Sequence, residues 1–225
     1  MTIAISGASG KTGYRIAEEA VKMHSKVKLL VRQRSRIISS LSKCDYSEVD
    51  LFNPKSLDKS LKGCSSLIIA TGARPSIDLT GPLKIDAIGV KNQVESCKRV
   101  GLKRIILVSS LCTGKLLHPL NLFGLILICK RFGERSLEGS GLDWTIIRPG
   151  GLTEQEDNLD KQGIYYSEAN QQEDSSIPRR LVAKTCIEAF KSNESIGKII
   201  EVTSNEELEK TSFKKAISGF KMTVE

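Results

Sequence analysis

Short apolar runs alternate with amphipathic stretches along the chain, and the runs are too apolar to have a wet face. TIAISG (2–7), KVKLLVR (26–32), SSLIIATG (65–72), KRIILVSS (103–110) and DWTIIRPGG (143–151) all have this character. Strands buried on both sides occur where helices cover both faces of a parallel sheet, whereas antiparallel strands usually alternate apolar and polar residues. The intervening stretches supply those helices. Ile16, Ala20 and Met23 recur on one face of TGYRIAEEAVKMH, and NPKSLDKSLKG opens on an Asn cap with Pro at the first helical position and closes on Gly63. A long helix is expected over DAIGVKNQVESCKRVG, others over 121–140 and LVAKTCIEAFKS, and a last one over 205–219. YSEVDL (46–51) and KIIEVTS complete the strands. The pattern predicts a doubly wound α/β fold in one domain, 1–225. The polar, irregular stretch 153–180 is expected to form a small substrate or lid region.

The turn between the first strand and the first helix reads ISGASGKTG. Its GKT resembles the end of a triphosphate-binding loop, but G-x-x-x-x-G-K-[ST] would require glycine at position 5, which is Ile5. The glycines at 7, 10 and 13 instead fit a dinucleotide turn: tight bending, close backbone approach to a pyrophosphate, and close packing of helix on sheet. The free N–H groups of the helix N-terminus favour the same anion. Gly7, Ser9, Gly10, Lys11, Thr12 and Gly13 are therefore the expected phosphate-side residues of a Rossmann-type sheet.

Strand two adds a preference. A site for NAD ends this strand in Asp or Glu, which bonds the ribose 2′-hydroxyl. Here it ends in Arg32, followed by Gln33, Arg34, Ser35 and Arg36. Guanidinium grips a 2′-phosphate that a carboxylate would repel, so NADP(H) is expected over NAD(H). The formal charge of +8 agrees with an anionic ligand, but scattered basic residues and few aromatics argue against nucleic acid. The six cysteines lie far apart, without C-x-x-C or paired histidines, so neither a metal nor a disulfide framework is expected. With no secretory pattern and no apolar run of about 20 residues, a cytoplasmic protein without a transmembrane segment is expected, with peripheral membrane association left open.

GASGKTG (7–13), VDL (49–51), VSS (108–110) and SGLDWTIIRPGGL (140–152) together resemble the atypical short-chain dehydrogenase/reductases. The resemblance is to their NAD(P)H-binding branch of flavin/biliverdin-reductase-like, Tic62-like and Ycf39-like proteins. CKRFGERSLEGSGL (129–142) looks like the branch's K-x-x-x-E helix, with Lys130 and Glu134 on one face, and IPRRLVA (177–183) resembles its I-S-R-x-D-V-A. The resemblance implies that Asp50 and Leu51 border the adenine and that Ala70, Thr71 and Gly72 line the adenosine-ribose side. It further implies that Ser109 and Ser110 face the nicotinamide, that Lys130 bonds the nicotinamide ribose, and that Pro149, Gly150, Gly151 and Leu152 hold the carboxamide end. Ser109 and Lys130 are the candidate catalytic residues.

One departure shapes the functional expectation. Most of the wider superfamily uses Tyr-x-x-x-Lys, in which the lysine lowers the pKa of a proton-exchanging tyrosine. Four positions before Lys130 stands Ile126, and no tyrosine of this chain has a lysine four residues later. Hydride transfer to a small acceptor such as a flavin or quinone, with water supplying the proton, is expected rather than standard carbonyl reduction. The alternative is a non-catalytic NADP(H)-binding regulatory or membrane-complex assembly factor. His118 is read as a loop residue ahead of Pro119, and Tyr165 and Tyr166 as a pair of which one packs inward. The apolar stretch within 116–137 is expected to be covered by the sheet, a second copy or another protein partner.

Overall fold

The computed structural model describes residues 2–73 and 79–223, the side chains of Ser35 and Phe123 excepted. Strands β1 (Thr2–Ser6), β2 (Lys26–Val31), β3 (Asp45–Glu48), β4 (Ser66–Ile69), β5 (Arg104–Val108), β6 (Asp143–Pro149) and β10 (Lys198–Asn205) form one sheet with β8 (Gly163–Ser167), in the order β3-β2-β1-β4-β5-β6-β10-β8. Every neighbouring pair is parallel except β8 on β10. Helices α1 (Lys11–Lys22), α2 (Pro54–Leu61), α3 (Val90–Val100), α4 (Ile126–Glu138) and α5 (Arg179–Lys191) supply the covering layers. The short strands β7 (Gly151–Thr153) and β9 (Ser176–Pro178) pair with each other beside the main sheet.

The apolar runs divide between the two faces with a period of two. Ile3, Ile5, Leu29, Ile68, Ile106 and Ile147 pack with Ile16 and Ala20 of α1 and Val182 and Cys186 of α5. Ala4, Leu30, Leu67, Ile69, Ile105 and Ile146 pack with Leu57 and Leu61 of α2 and Val94 and Cys97 of α3. Each such isoleucine, leucine or valine contributes about 1.5–3 kcal/mol when fully buried, so neither face could be left to water. A doubly wound α/β sheet is thus what the consecutive apolar residues require, as expected.

Three expectations are corrected. The last helix is only α6 (Phe213–Ile217), because Asn205 Oδ1 accepts from the backbone N–H groups of Glu207 and Leu208 and bends the chain into a turn where a helix was expected. The helix expected over 121–140 begins at Ile126: Pro119–Phe123 is a 3₁₀ turn, and Gly124 and Leu125 are both left-handed (φ 85° and 54°). The stretch 153–180 is less irregular than its composition suggests, since β8 and β9 lie in it. Its adjacent tyrosines face opposite ways: Tyr166 meets the Phe213 ring edge-on at 5.5 Å and Tyr165 is half exposed. His118 is the expected loop residue, with Nδ1 accepting from Leu120 N.

Candidate functional site

Sheet order reverses between β1 and β4, and a crevice opens outside the carboxyl ends of strands at such a point. Two cavities of 330 and 310 Å³ fill this crevice and share Gly10, Ala70, Thr71, Gly72 and Ala73, so they are halves of one groove. The first lies toward β2 and is lined also by Gly7, Ser9, Leu30, Val31, Arg32, Arg36, Val49, Leu51 and Ile85. The second lies toward β5 and β6 and is lined also by Lys11, Thr12, Val108, Ser109, Ser110, Lys130, Pro149, Gly150, Leu152 and Arg179.

The turn at the groove floor explains its own glycines. Gly7 is left-handed (φ 78°), and a Cβ there would stand 2.8 Å from Ala70 O at the end of β4. At Gly13 a Cβ would stand 2.1 Å from Gly7 O, so helix α1 can seat against the turn only without a side chain. Gly10 caps α1 without a side-chain bond, and the first turn of α1 carries no acid. The helix N-terminus therefore keeps unsatisfied N–H groups beside the groove.

The sequence-predicted residues largely converge. Of those named, Gly13, Asp50 and Gly151 do not line either half. Gly13 packs on Gly7, Asp50 is exposed and accepts from Phe52 N, and Gly151 N bonds Ser175 O. Ser109 is buried at the end of β5, 3.3 Å from Thr113 Oγ1. Thr71 lines both halves, and its Oγ1 is buried without a hydrogen-bond partner among the described residues. A buried hydroxyl left so costs free energy that a polar ligand in the groove would return.

Lys130 lies against an acid that sequence reasoning did not single out. A π-helical turn, Leu83–Gly89, precedes α3 and presents Asp86, whose Oδ1 accepts from Lys130 Nζ at 2.7 Å and whose Oδ2 accepts from Ala73 N at 3.0 Å. Gly133 permits this approach: a Cβ there would sit 2.2 Å from Asp86 O. Such π turns are recurrent at functional sites.

Residues 7–193 match the NAD(P)H-binding family. The chain is 30% identical to sanguinarine reductase of Eschscholzia californica over 92% of this chain and 90% of that one. It is 34% identical to the chloroplastic protein Tic62 of Pisum sativum over 66% of this chain but 32% of that longer protein. A solved putative NAD-dependent epimerase/dehydratase from Bacillus halodurans superposes with a TM-score of 0.85 at 25% identity, covering 97% of this chain and 99% of that one. The chain belongs to the NAD(P)H-binding family, a branch of the atypical short-chain dehydrogenase/reductases.

Among the described residues of this family member, no tyrosine lines either half of the groove. Tyr14 and Tyr46 lie under the guanidinium groups of Arg15 and Arg34, at 4.5 and 5.1 Å. Burial pushes the Tyr166 phenol above its ordinary 10, so it stays neutral inside the fold. The residues that sequence reasoning missed are Asp86, Arg36 and Arg179. Arg36 lies in the basic run after β2, and Arg179 in the quoted IPRR, but neither position alone says that its side chain reaches the groove.

The family motif around Arg148 has a structural explanation. Arg148 is buried and bonds Glu134 twice, Nε to Oε1 at 2.9 Å and Nη2 to Oε2 at 2.7 Å. It also reaches Asn170 Oδ1 at 3.1 Å and Glu201 Oε1 at 3.6 Å. Glu201 in turn accepts from the backbone N–H groups of Asn170, Gln171 and Gln172. Burial alone would lower the Arg148 guanidinium, but Glu134 and Glu201 raise it above its ordinary value. The network ties α4, β6 and β10 to the segment beyond β8.

Proposed function

We propose that the chain is an NADP(H)-dependent oxidoreductase that passes hydride to a small acceptor such as a flavin or quinone. One observation carries the choice of NADP(H). Arg32 and Arg36 both line the β2 half of the groove, and neither side chain has an ion-pair partner among the described residues. The other groove cations are already paired: Lys11 and Arg179 with Glu154, Lys130 with Asp86. Two unpaired guanidinium groups where a carboxylate would select NAD favour a 2′-phosphate. The orphaned Thr71 hydroxyl, the uncapped α1 N-terminus and the Cβ-free turn at Gly7 and Gly13 suit the rest of such a cofactor.

In this reading Leu30, Val31, Val49 and Leu51 flank the adenine, while Gly7, Ser9, Gly10, Lys11 and Thr12 hold the diphosphate. Ala70, Thr71 and Gly72 border the ribose, and Pro149, Gly150 and Leu152 the carboxamide. Asp50, Gly13 and Gly151 act by shaping the backbone. The bound nicotinamide supplies the hydride. Ser109 orients the acceptor, and Asp86 keeps the Lys130 ammonium fixed at the groove for the nicotinamide ribose. With no tyrosine donor at the groove, the acceptor's proton comes from water, which suits a flavin or quinone better than a carbonyl. The segment 153–180 of this single domain forms the lid or substrate side, apart from β8, which is bonded into the main sheet.

A second reading is favoured by the same missing tyrosine and by an exposed apolar rim. Leu116, Leu117, Leu120, Leu122, Leu125 and Phe132 are exposed, Leu117 almost completely. Here NADP(H) is a bound regulator, and 116–137 meets a protein partner or a second copy in a membrane-complex assembly role. No helix among the described residues is long and apolar enough to cross a membrane. Six unpaired thiols suit a reducing compartment, the cytoplasm or a plastid like that of the pea relative.

Titration with NADPH and with NADH, followed by nicotinamide fluorescence, and then addition of a flavin and a quinone, tests both. NADPH-selective binding followed by cofactor oxidation supports the reductase. Selective binding without oxidation favours the second reading, and binding of neither nucleotide refutes both.

A further inference from the structure

Glu154, the first residue beyond β7, places its carboxylate among three cations. Oε1 lies 2.9 Å from Lys11 Nζ and 3.0 Å from Arg179 Nε, and Oε2 lies 3.3 Å from Arg15 Nη2. Arg179 also donates to Thr12 Oγ1 at 3.0 Å. Lys11, Thr12 and Arg179 all line the β5 half of the groove, at the uncapped N-terminus of α1. An ammonium and two guanidinium groups converge on one anion, and two of these three cations line the groove beside a helix N-terminus, the surroundings that a diphosphate also demands.

Glu154 is 48% exposed and can turn into water at small cost, unlike its neighbour. Glu156 is held independently by Arg15 and by Arg180, and Arg180 is fixed on α1 through Glu18 and Glu19. Releasing Glu154 would therefore free Lys11 and Arg179 without dismantling the contact between 156 and the helices. We infer that Arg179 joins Lys11 as a ligand of the cofactor diphosphate, and that Glu154 is their built-in counter-ion, displaced when the diphosphate enters. The inference rests on the NADP(H) reading and goes further. It makes nucleotide binding a competition within the chain, and it makes the start of the 153–180 segment report whether the diphosphate is seated.

The test compares dissociation constants for NADPH and for 2′-AMP, which carries the 2′-phosphate but no diphosphate. The proteins are the unmodified chain, Glu154→Gln, Arg179→Gln and Glu206→Gln, the last an exposed acid giving the same change in net charge. Glu154→Gln should tighten NADPH by about two- to fivefold, the range of an exposed ion pair. Its affinity for 2′-AMP should not change, and Glu206→Gln should alter neither. Arg179→Gln should weaken NADPH by about tenfold and, made together with Glu154→Gln, should shrink the gain from the latter. NADPH binding that Glu154→Gln weakens or leaves unchanged overturns the inference, as does an equal gain with 2′-AMP or with Glu206→Gln. A chain that binds 2′-AMP and NADPH normally but fails these comparisons leaves the cofactor reading standing. Failure of the unmodified chain to bind either ligand removes the cofactor reading and the inference with it.

Discussion

Replacing Arg148 with methionine should destabilise the fold by about 3 kcal/mol, the lower end of the cost of breaking a buried ion pair. The lower end applies because neither carboxylate is abandoned. Glu134 keeps Arg131 at 3.3 Å, and Glu201 keeps its three backbone donors. What disappears is the two-pronged bond to Glu134 and the bridge to Asn170. Methionine fills most of the volume, so cavity formation adds little. For a chain of this size each kcal/mol lowers the melting temperature by about 2–4 °C, giving a fall of about 6–12 °C. Urea and thermal unfolding of Arg148→Met, Glu134→Gln and the double variant provide the assay, with the dependence on urea concentration checked to be unchanged. In the Glu134→Gln background the arginine replacement should cost about 1 kcal/mol less or better, because the charge it served has gone. A loss below about 1 kcal/mol, or an equal loss in both backgrounds, would refute a network in which Arg148 neutralises Glu134.

Arg32→Ala and Arg36→Ala should each raise the NADPH dissociation constant by about tenfold while leaving NADH within about twofold, since a charge-assisted bond to the 2′-phosphate is lost and nothing else; an unchanged NADPH/NADH ratio in both variants refutes the clamp. Gly13→Ala drives a Cβ to 2.1 Å from Gly7 O, backbone that cannot swing aside, so it should cost about 1–3 kcal/mol in urea unfolding and weaken both nucleotides alike. The Glu154 carboxylate is held below its usual 4.5 chiefly by Lys11; for Glu156 burial pulls upward, but Arg15 and Arg180 outweigh it. Both pKa values are lower folded than unfolded, so their contribution is complete above about pH 4.5 and is lost as pH falls through the folded values. Pepsin nicking within 154–162 should accordingly stay slow down to about pH 4.5 and accelerate below it, and acceleration beginning near pH 6 would contradict this assignment.

The parts of this protein that were legible in its sequence are those set by local covalent geometry and by burial on two faces. Ile3 and Ile5 face one helix layer and Ala4 the other, so a run of consecutive apolar residues could mean only a sheet covered on both sides. The glycine turn was legible because sterics at Gly7 and Gly13 admit no other residue. What escaped depends on contacts between residues far apart. Asp86 meets Lys130 across 44 positions, and only the packing of Gly133 on the π turn brings them together. The lost helix at 205–212 shows the converse: its polar residues are compatible with a helix, but the Asn205 side chain offers the backbone a competing partner.

The distribution of charge along the groove follows from the same distinction. Counted from the sequence, the basic residues after β2 and those at Lys11, Lys130 and Arg179 are equivalent contributors to a net charge of +8. The fold separates them into two kinds. Lys11, Arg179 and Lys130 are supplied with acids from 153–156 and from the turn before α3, whereas Arg32 and Arg36 are left without one among the described residues. Paired cations hold geometry, and their field is largely cancelled beyond the pair; unpaired cations project into the groove and set which anion is drawn in. On the proposed reading, a 2′-phosphate entering at Arg32 and Arg36 meets no internal competitor among the described residues, while a diphosphate at Lys11 and Arg179 must displace Glu154. The proposed NADP(H) reading thereby puts cofactor selection and cofactor seating at different ends of one groove, the first by attraction and the second by exchange.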